Sequence, residues 1–228
     1  SAVNDSASGA QVIDGSLNWN INSQSPSNGD GSNLLRTPSS AGDRKTWTYS
    51  CWVKRCELGR SQSLFSSTGG GSTDSGYLQF GFRSTDILEI GGALTWWLQT
   101  NQVFRDTAGG YYHIVCAVDT TNSNADDRIK LYVNGSQITS FAARSNPALN
   151  LNTAINQTYG TYIGAEDGRA NYNNCYLSQV YLIDSQALEP SDFGYTDPLT
   201  NTWRPKKFEP PLVSLNKGIT WSSQLSGT

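Results

Sequence analysis

The 228-residue chain has no methionine, a single histidine, five glutamates and six lysines. So thin a supply of strong helix formers excludes a helix bundle or coiled coil, which need long runs of Ala, Leu, Glu, Lys and Arg. Charge is sparse too: charged residues make up 15% and the net charge is −3. Basic side chains are scattered apart from Arg204, Lys206 and Lys207, so the footprint of a nucleic-acid binder is missing and no nucleic-acid partner is expected. No apolar run approaches the roughly 20 residues that span a bilayer. Residues 1–30 are polar overall and show no basic region followed by an apolar core, so neither membrane insertion nor a secretion leader is expected. Ser1 in place of Met leaves a processed chain and a fragment equally open. The four cysteines (Cys51, Cys56, Cys116 and Cys175) form no CxxC pair and have no histidine beside them, which argues against zinc. Cys51 and Cys116 sit inside apolar strand patterns and read as small buried hydrophobes in preference to a disulfide, in keeping with synthesis in a reducing cytoplasm.

What the chain does contain is turn-forming and β-forming material. Ser, Thr and Asn account for 68 residues, Gly for 22 and the aromatics for 25. Period-two alternation bounded by polar clusters predicts strands over 11–19, 33–37, 47–54, 63–67, 77–83, 87–90, 95–100 and 102–105. Residues 111–119 (YYHIVCAVD) are apolar on both alternating faces, as in a central strand covered on both sides. Strands over 128–133 and 136–141 flank Asn134-Gly135, a dipeptide suited to a type I′ turn. A polar connection over 142–160 leads to strands at 161–164 and 176–183, and 190–193 reads as one helical turn with Ser191 and Asp192 placed to cap it. Many short strands without βαβ alternation imply an all-β, antiparallel two-sheet sandwich forming one domain at this length. We take the domain as residues 1–194, with a flexible end over 1–10, and residues 195–228 as a Pro-rich arm or, equally, a closing edge strand. Trp203, Arg204, Phe208 and Trp221 in that arm are candidates for contact with a partner, because rings on an arm need a surface to bury them.

The segments TPSSAGDRKTWTYSCWVKR (37–55), QVFRDTAGGYYHIVCAVDTT (102–121), RIKLYVNGSQIT (128–139), YIGAEDG (162–168) and YLSQVYLIDSQALEPSDFG (176–194), followed by WRPKK, occur in an order and spacing that resemble one family. It is that of the laminin-G-like, concanavalin A-like jelly-roll domains of virion and tail-fibre proteins of marine tailed phages, cyanophages above all. The likeness runs from about residue 11 to about residue 205. Cys51, Cys56 and Cys116 stand where that family favours small residues or Val, and Ser185 where it favours Gly. The resemblance implies a jelly roll in a virion protein made in the host cytoplasm. It implies other virion proteins and further copies of the chain as partners, and a fibre, spike or capsid-decorating role with attachment to host-surface polysaccharide.

No catalytic residues are assigned. The Glu-x-Asp-x-x-Glu strand of jelly-roll glucanases is absent, and the glutamates never fall three or four apart. His113, inside the 111–119 strand, reads as a structural histidine. Sugar binding needs an exposed aromatic platform beside planar hydrogen-bonding groups. Trp96-Trp97 fits this, with one indole expected on each face of its strand, and so does Tyr172 among Asn171, Asn173 and Asn174. No cofactor is required by this reading, but Asp119, Asp126 and Asp127 bracket a loop where they could converge on Ca²⁺, with Glu166 and Asp167 as a second acidic pair facing the same rim.

Overall fold

The structure is a computed structural model and describes residues 15–19, 33–69, 71–166 and 170–210. Period-two alternation produces strands β1 (Leu17–Trp19), β2 (Leu34–Arg36), β3 (Thr46–Arg55), β4 (Gln62–Thr68), β5 (Tyr77–Phe82), β6 (Ile87–Gly92), β7 (Trp96–Val103) and β8 (Tyr112–Asp119). They are followed by β9 (Ile129–Val133), β10 (Ser136–Gln137), β11 (Phe141–Arg144), β12 (Gly160–Ile163), β13 (Cys175–Asp184), β14 (Gly194–Thr196) and β15 (Trp203–Pro205). A six-stranded sheet runs β1-β13-β3-β8-β9-β10 and a seven-stranded sheet β11-β7-β6-β5-β4-β12-β2, all antiparallel, with β14-β15 as a separate hairpin. This is the expected two-sheet jelly-roll sandwich.

Between the sheets, β3 contributes Trp47, Tyr49, Cys51 and Val53, and β8 contributes Ile114, Cys116 and Val118. They meet Leu64 and Phe65 of β4 and Leu78, Phe80 and Phe82 of β5. The Tyr49 ring stacks on Phe65 at 4.9 Å and meets Phe80 edge-on at 5.9 Å. Cys51, Cys116 and Cys175 are free and buried, while Cys56 is exposed. Asn134 and Gly135 both take positive φ (49° and 82°), as a type I′ turn between β9 and β10 requires.

Several strands differ from the sequence reading: the strand read over 11–19 is described only as Leu17–Trp19, with 11–14 outside the described residues, and β14 and β15 form a hairpin where an arm or closing strand is expected. Trp96–Val103 form one strand, β7, instead of separate strands over 95–100 and 102–105, because register shifts against β6 absorb the irregularity and Thr100 Oγ1 accepts the Leu88 N–H at 3.1 Å. Residues 136–141 do not form one strand. Ile138 turns into the core after β10, and Phe141 opens β11 on the edge of the opposite sheet, inside what reads as a polar connection. The turn Pro190–Asp192 is 3-10, and Asp192 Oδ2 accepts the Glu189 N–H at 3.1 Å. Ser191 does not share that cap and offers its carbonyl to Lys206 Nζ at 3.2 Å.

A feature with no sequence signature is the ion pair of Arg55, fully buried at the end of β3, with Asp86, at φ +64° in the β5–β6 turn. Asp86 also receives Arg105 Nε at 3.0 Å and the Gly59 N–H at 2.9 Å. Burial works against the Asp86 carboxylate, but these donors outweigh it and hold its pKa below the usual range. Among the described residues, no helix is long and apolar enough to cross a membrane.

Candidate functional site

The outward face of the seven-stranded sheet follows from its inward one. Leu78, Phe80 and Phe82 of β5 enter the core, so Tyr77 and Gln79 face out, and Glu89 does the same between Leu88 and Ile90 of β6. Register then joins Ser66, Gln79, Gly91 and Trp96 into one row across β4, β5, β6 and β7. Gly91 carries no side chain, and a Cβ there would stand 2.6 Å from Thr95 O and 2.9 Å from the Trp96 ring, so the glycine lets the start of β7 and its indole close in. Beside this row lies an open groove of about 600 Å³ lined by Thr68, Tyr77, Gln79, Leu94, Trp96 and Glu166. Leu94 on its lip is 74% exposed.

The groove is held by a polar frame. Arg83 Nη1 donates to both carboxylate oxygens of Glu89, at 2.8 and 3.0 Å, and its guanidinium lies 5.2 Å from the Trp96 ring centre. Gln99 Nε2 donates to Glu89 at 2.9 Å. Burial raises the Glu89 carboxyl above its ordinary pKa and the Glu166 charge adds to that, while Arg83 and Gln99 oppose the rise. Glu166 receives the Tyr77 hydroxyl on one oxygen and the Asn171 amide on the other. The frame therefore presents an indole face, a carboxylate and an amide at one opening, the combination a pyranose with an apolar C–H face and flanking hydroxyls requires.

Of the sugar-binding candidates, Trp96 lines this groove, and Asn171 touches it only through its bond to Glu166. Trp97 does not: at 1% exposure it fills the core, because its neighbour takes the outward position. Tyr172 is buried against Ala165, so it offers no platform, and Asn173 is buried with it. Asn174 points away, its amide 3.4 Å from Glu57 Oε2. Tyr77, Gln79, Arg83, Glu89 and Leu94 were not singled out from the sequence. The alternation of YLQFGF marks Tyr77 and Gln79 as outward, but only strand register brings them beside Trp96.

The rim aspartates do not converge. Asp119 Oδ1 accepts the N–H and hydroxyl of Thr121, Asp126 pairs with Arg144 at 2.9 Å, and Asp127 pairs with Lys130 at 3.5 Å. Each carboxylate turns to a different donor, and among the described residues no group of three His, Cys, Asp or Glu side chains is placed to hold a metal. Glu166 belongs to the groove instead of this rim, and Asp167 lies outside the described residues.

The outer face of the six-stranded sheet is built otherwise. His113, Val115 and Ala117 of β8 point outward beside Trp52 of β3, and an apolar surface of this kind needs a cover. The chain supplies it. Phe193 is fully buried over Val115, Ala117 and Tyr132, and Phe208 stacks on Phe193 at 5.2 Å. The hairpin β14–β15 then brings Trp203 over His113 to complete a Trp52–His113–Trp203 stack, with ring centres 4.7 and 5.9 Å apart. Gly135 and Gly194 line the slot, where a Cβ would approach the Trp203 ring to 2.7 and 2.5 Å. Arg204 pairs with Asp197 within the hairpin at 2.7 Å. The partner-contact candidates Trp203, Arg204 and Phe208 thus pack against their own chain, because β8 leaves an apolar face that a surface arm would otherwise expose; Trp221 lies outside the described residues.

His113 locks this cover. Trp203 Nε1 can only donate, and it does so to His113 Nδ1 at 2.9 Å, so the imidazole proton resides on Nε2, which lies 3.0 Å from Ser50 Oγ. The ring is neutral, and burial pushes its pKa down to about 3. That fits the structural part read for this histidine in the sequence.

No curated protein matches the chain by sequence. Among solved structures, the chain is similar in course to Trypanosoma rangeli sialidase, at 17% identity and a TM-score of 0.44, over 65% of this chain and 22% of that one. It is also similar to domain 4 of an extracellular GH43 arabinanase from Geobacillus stearothermophilus, in complex with arabinotriose (16% identity, TM-score 0.45, 72% and 71% covered). A third is the CBM40 of a Ruminococcus gnavus IT-sialidase, bound to α2,3-sialyllactose (14% identity, TM-score 0.44, 68% and 92% covered). The chain spans about a fifth of the length of the trypanosomal enzyme. The Laminin_G_3 family model matches residues 28–192, and the chain belongs to that family of the concanavalin A-like lectin/glucanases superfamily.

Proposed function

We propose that this domain is a non-enzymatic carbohydrate-binding module whose ligand lies in the groove on the outer face of the seven-stranded sheet. The observation that carries the reading is the Ser66–Gln79–Gly91–Trp96 row, which sets an indole beside an amide and the Glu166 carboxylate at one open groove. Trp96 packs on the C–H face of a sugar, while Gln79 and Glu166 take its hydroxyls. Among the described residues Glu166 is the charged residue lining the groove, which favours a neutral saccharide over an anionic one. A glucanase reading asks for a carboxyl free to give and take a proton. Glu89 is instead clamped by Arg83 and Gln99, which supports binding without catalysis. No cofactor enters this account.

The motif resemblance to virion proteins of marine tailed phages gives the module its place in this reading. It acts on the surface of a particle assembled in the host cytoplasm, in a homo-oligomer that contacts other virion proteins and carries the groove towards host polysaccharide. The test is a panel of neutral and acidic bacterial polysaccharides, with and without EDTA, using the natural chain and Trp96→Ala. Binding to a neutral polysaccharide that survives EDTA and weakens at least about tenfold in Trp96→Ala is expected. Binding lost in EDTA would move the site to a calcium-dependent lectin, and binding unchanged in Trp96→Ala would remove the groove from it.

A further inference from the structure

The hairpin β14–β15 lies beyond the matched residues 28–192, and where it meets the sandwich it leaves a cleft of about 800 Å³. Lys54, Tyr112 and Asn134 form one side, and Thr196, Asn201 and Trp203 the other. Three side-chain acceptors here are already engaged. Asp106 Oδ1 takes the N–H groups of Ala108 (3.1 Å) and Gly109 (2.6 Å), folding that carboxylate into its own loop. Tyr112 Oη accepts the Asp106 N–H at 3.1 Å, and Asn134 Oδ1 accepts the His113 N–H at 2.8 Å, which leaves the Asn134 amide as a donor. Lys54 forms no ion pair among the described residues. Asp106 keeps its second oxygen unbonded among the described residues, but its first is turned into the 106–109 loop, and the unpaired Lys54 ammonium, the Asn134 amide donor and two aromatic rings suit a ligand that is anionic and has an apolar face.

We infer that this seam is a second saccharide site, specific for a sugar unit that bears a carboxylate. The carboxylate meets Lys54, the hydroxyls meet Asn134 and Asn201, and the ring lies between Tyr112 and Trp203. The site stands apart from the groove, and its charge preference is opposite. Because it joins sandwich and hairpin, a bound sugar also clamps the hairpin down.

Glucuronic acid and glucose, titrated into the ¹⁵N-labelled protein, test the assignment. Glucuronic acid is expected to shift the amides of Lys54, Asn134 and Asn201 saturably, with glucose at least about tenfold weaker. Lys54→Gln is expected to weaken glucuronic acid about tenfold, Lys54→Arg to keep it, and Trp96→Ala to leave it unchanged. Equal affinity for the two sugars, full binding in Lys54→Gln, or shifts confined to the groove would overturn the inference. Loss of neutral-polysaccharide binding in Trp96→Ala reads the groove separately, so either site can fail alone.

Discussion

The two outer faces of this sandwich began with the same problem and reached opposite solutions. On the six-stranded sheet, His113, Val115 and Ala117 of β8 are too apolar to meet water, and the chain folds Phe193, Trp203 and Phe208 back over them. On the seven-stranded sheet the outward row is polar and satisfies itself, Tyr77 bonding Gln79 and Gln99 bonding Glu89, and a half-buried indole, Trp96, stands among them beside an open groove. An apolar outward row recruits a cover from its own chain. A polar row with one half-buried ring keeps its surface for something else.

The comparison can be broken at four places, with diminishing expected effects on stability. Phe193→Ala removes a fully buried ring from the covered face and should cost about 3–5 kcal/mol in denaturant unfolding, while the folded fraction keeps its groove ligand. A loss of under about 1 kcal/mol would mean that the cover is ornamental.

Acid attacks the same face through its only histidine. His113 is held neutral with a pKa of about 3 in the folded state, against about 6.5 unfolded, so below pH 6.5 the unfolded chain gains a proton that the folded chain refuses. Its contribution is complete above pH 6.5 and is lost as pH falls towards 3, the loss amounting to about 3 kcal/mol by pH 4. Protonation would also set a second N–H against the Trp203 indole donor. His113→Gln should flatten this part of the stability–pH curve between pH 6.5 and 4, and an unchanged slope would contradict the assignment.

On the open face the balance reverses. Trp96→Ala should change stability by about 1 kcal/mol or less, because its ring is only partly buried, yet remove most of the saccharide affinity. The smallest effect belongs to the rim. Asp126→Ala with Asp127→Ala removes two exposed ion pairs worth about 0.3 kcal/mol each, and the melting temperature should fall equally with calcium and with EDTA.

How much of this was legible beforehand divides along the same line. The doubly apolar YYHIVCAVD strand announced a central position with both faces covered, and Asn134-Gly135 announced its hairpin. What covered the outer face was hidden, because prolines after residue 195 read as an extended arm and nothing local says that Trp203 will find the slot between Gly135 and Gly194. Alternation divided Trp96 from Trp97 without saying which faced out. The bulges between β6 and β7 decide that, and bulges leave little trace in a sequence. Tyr172 and its asparagines misled for a related reason. A polar loop has no periodicity from which burial can be read, and here Tyr172 packs against Ala165 at 3% exposure. The groove itself joins residues from four segments, so its composition rests on register instead of on any motif.

The most direct test of the account is to map a bound neutral oligosaccharide onto the protein, residue by residue, by amide chemical shift. Shifts centred on Thr68, Gln79, Trp96 and Glu166, with the Val115–Ala117 face silent, are the predicted result. Shifts centred on the Asp119–Asp127 rim and dependent on calcium, with Trp96 unmoved, would contradict it.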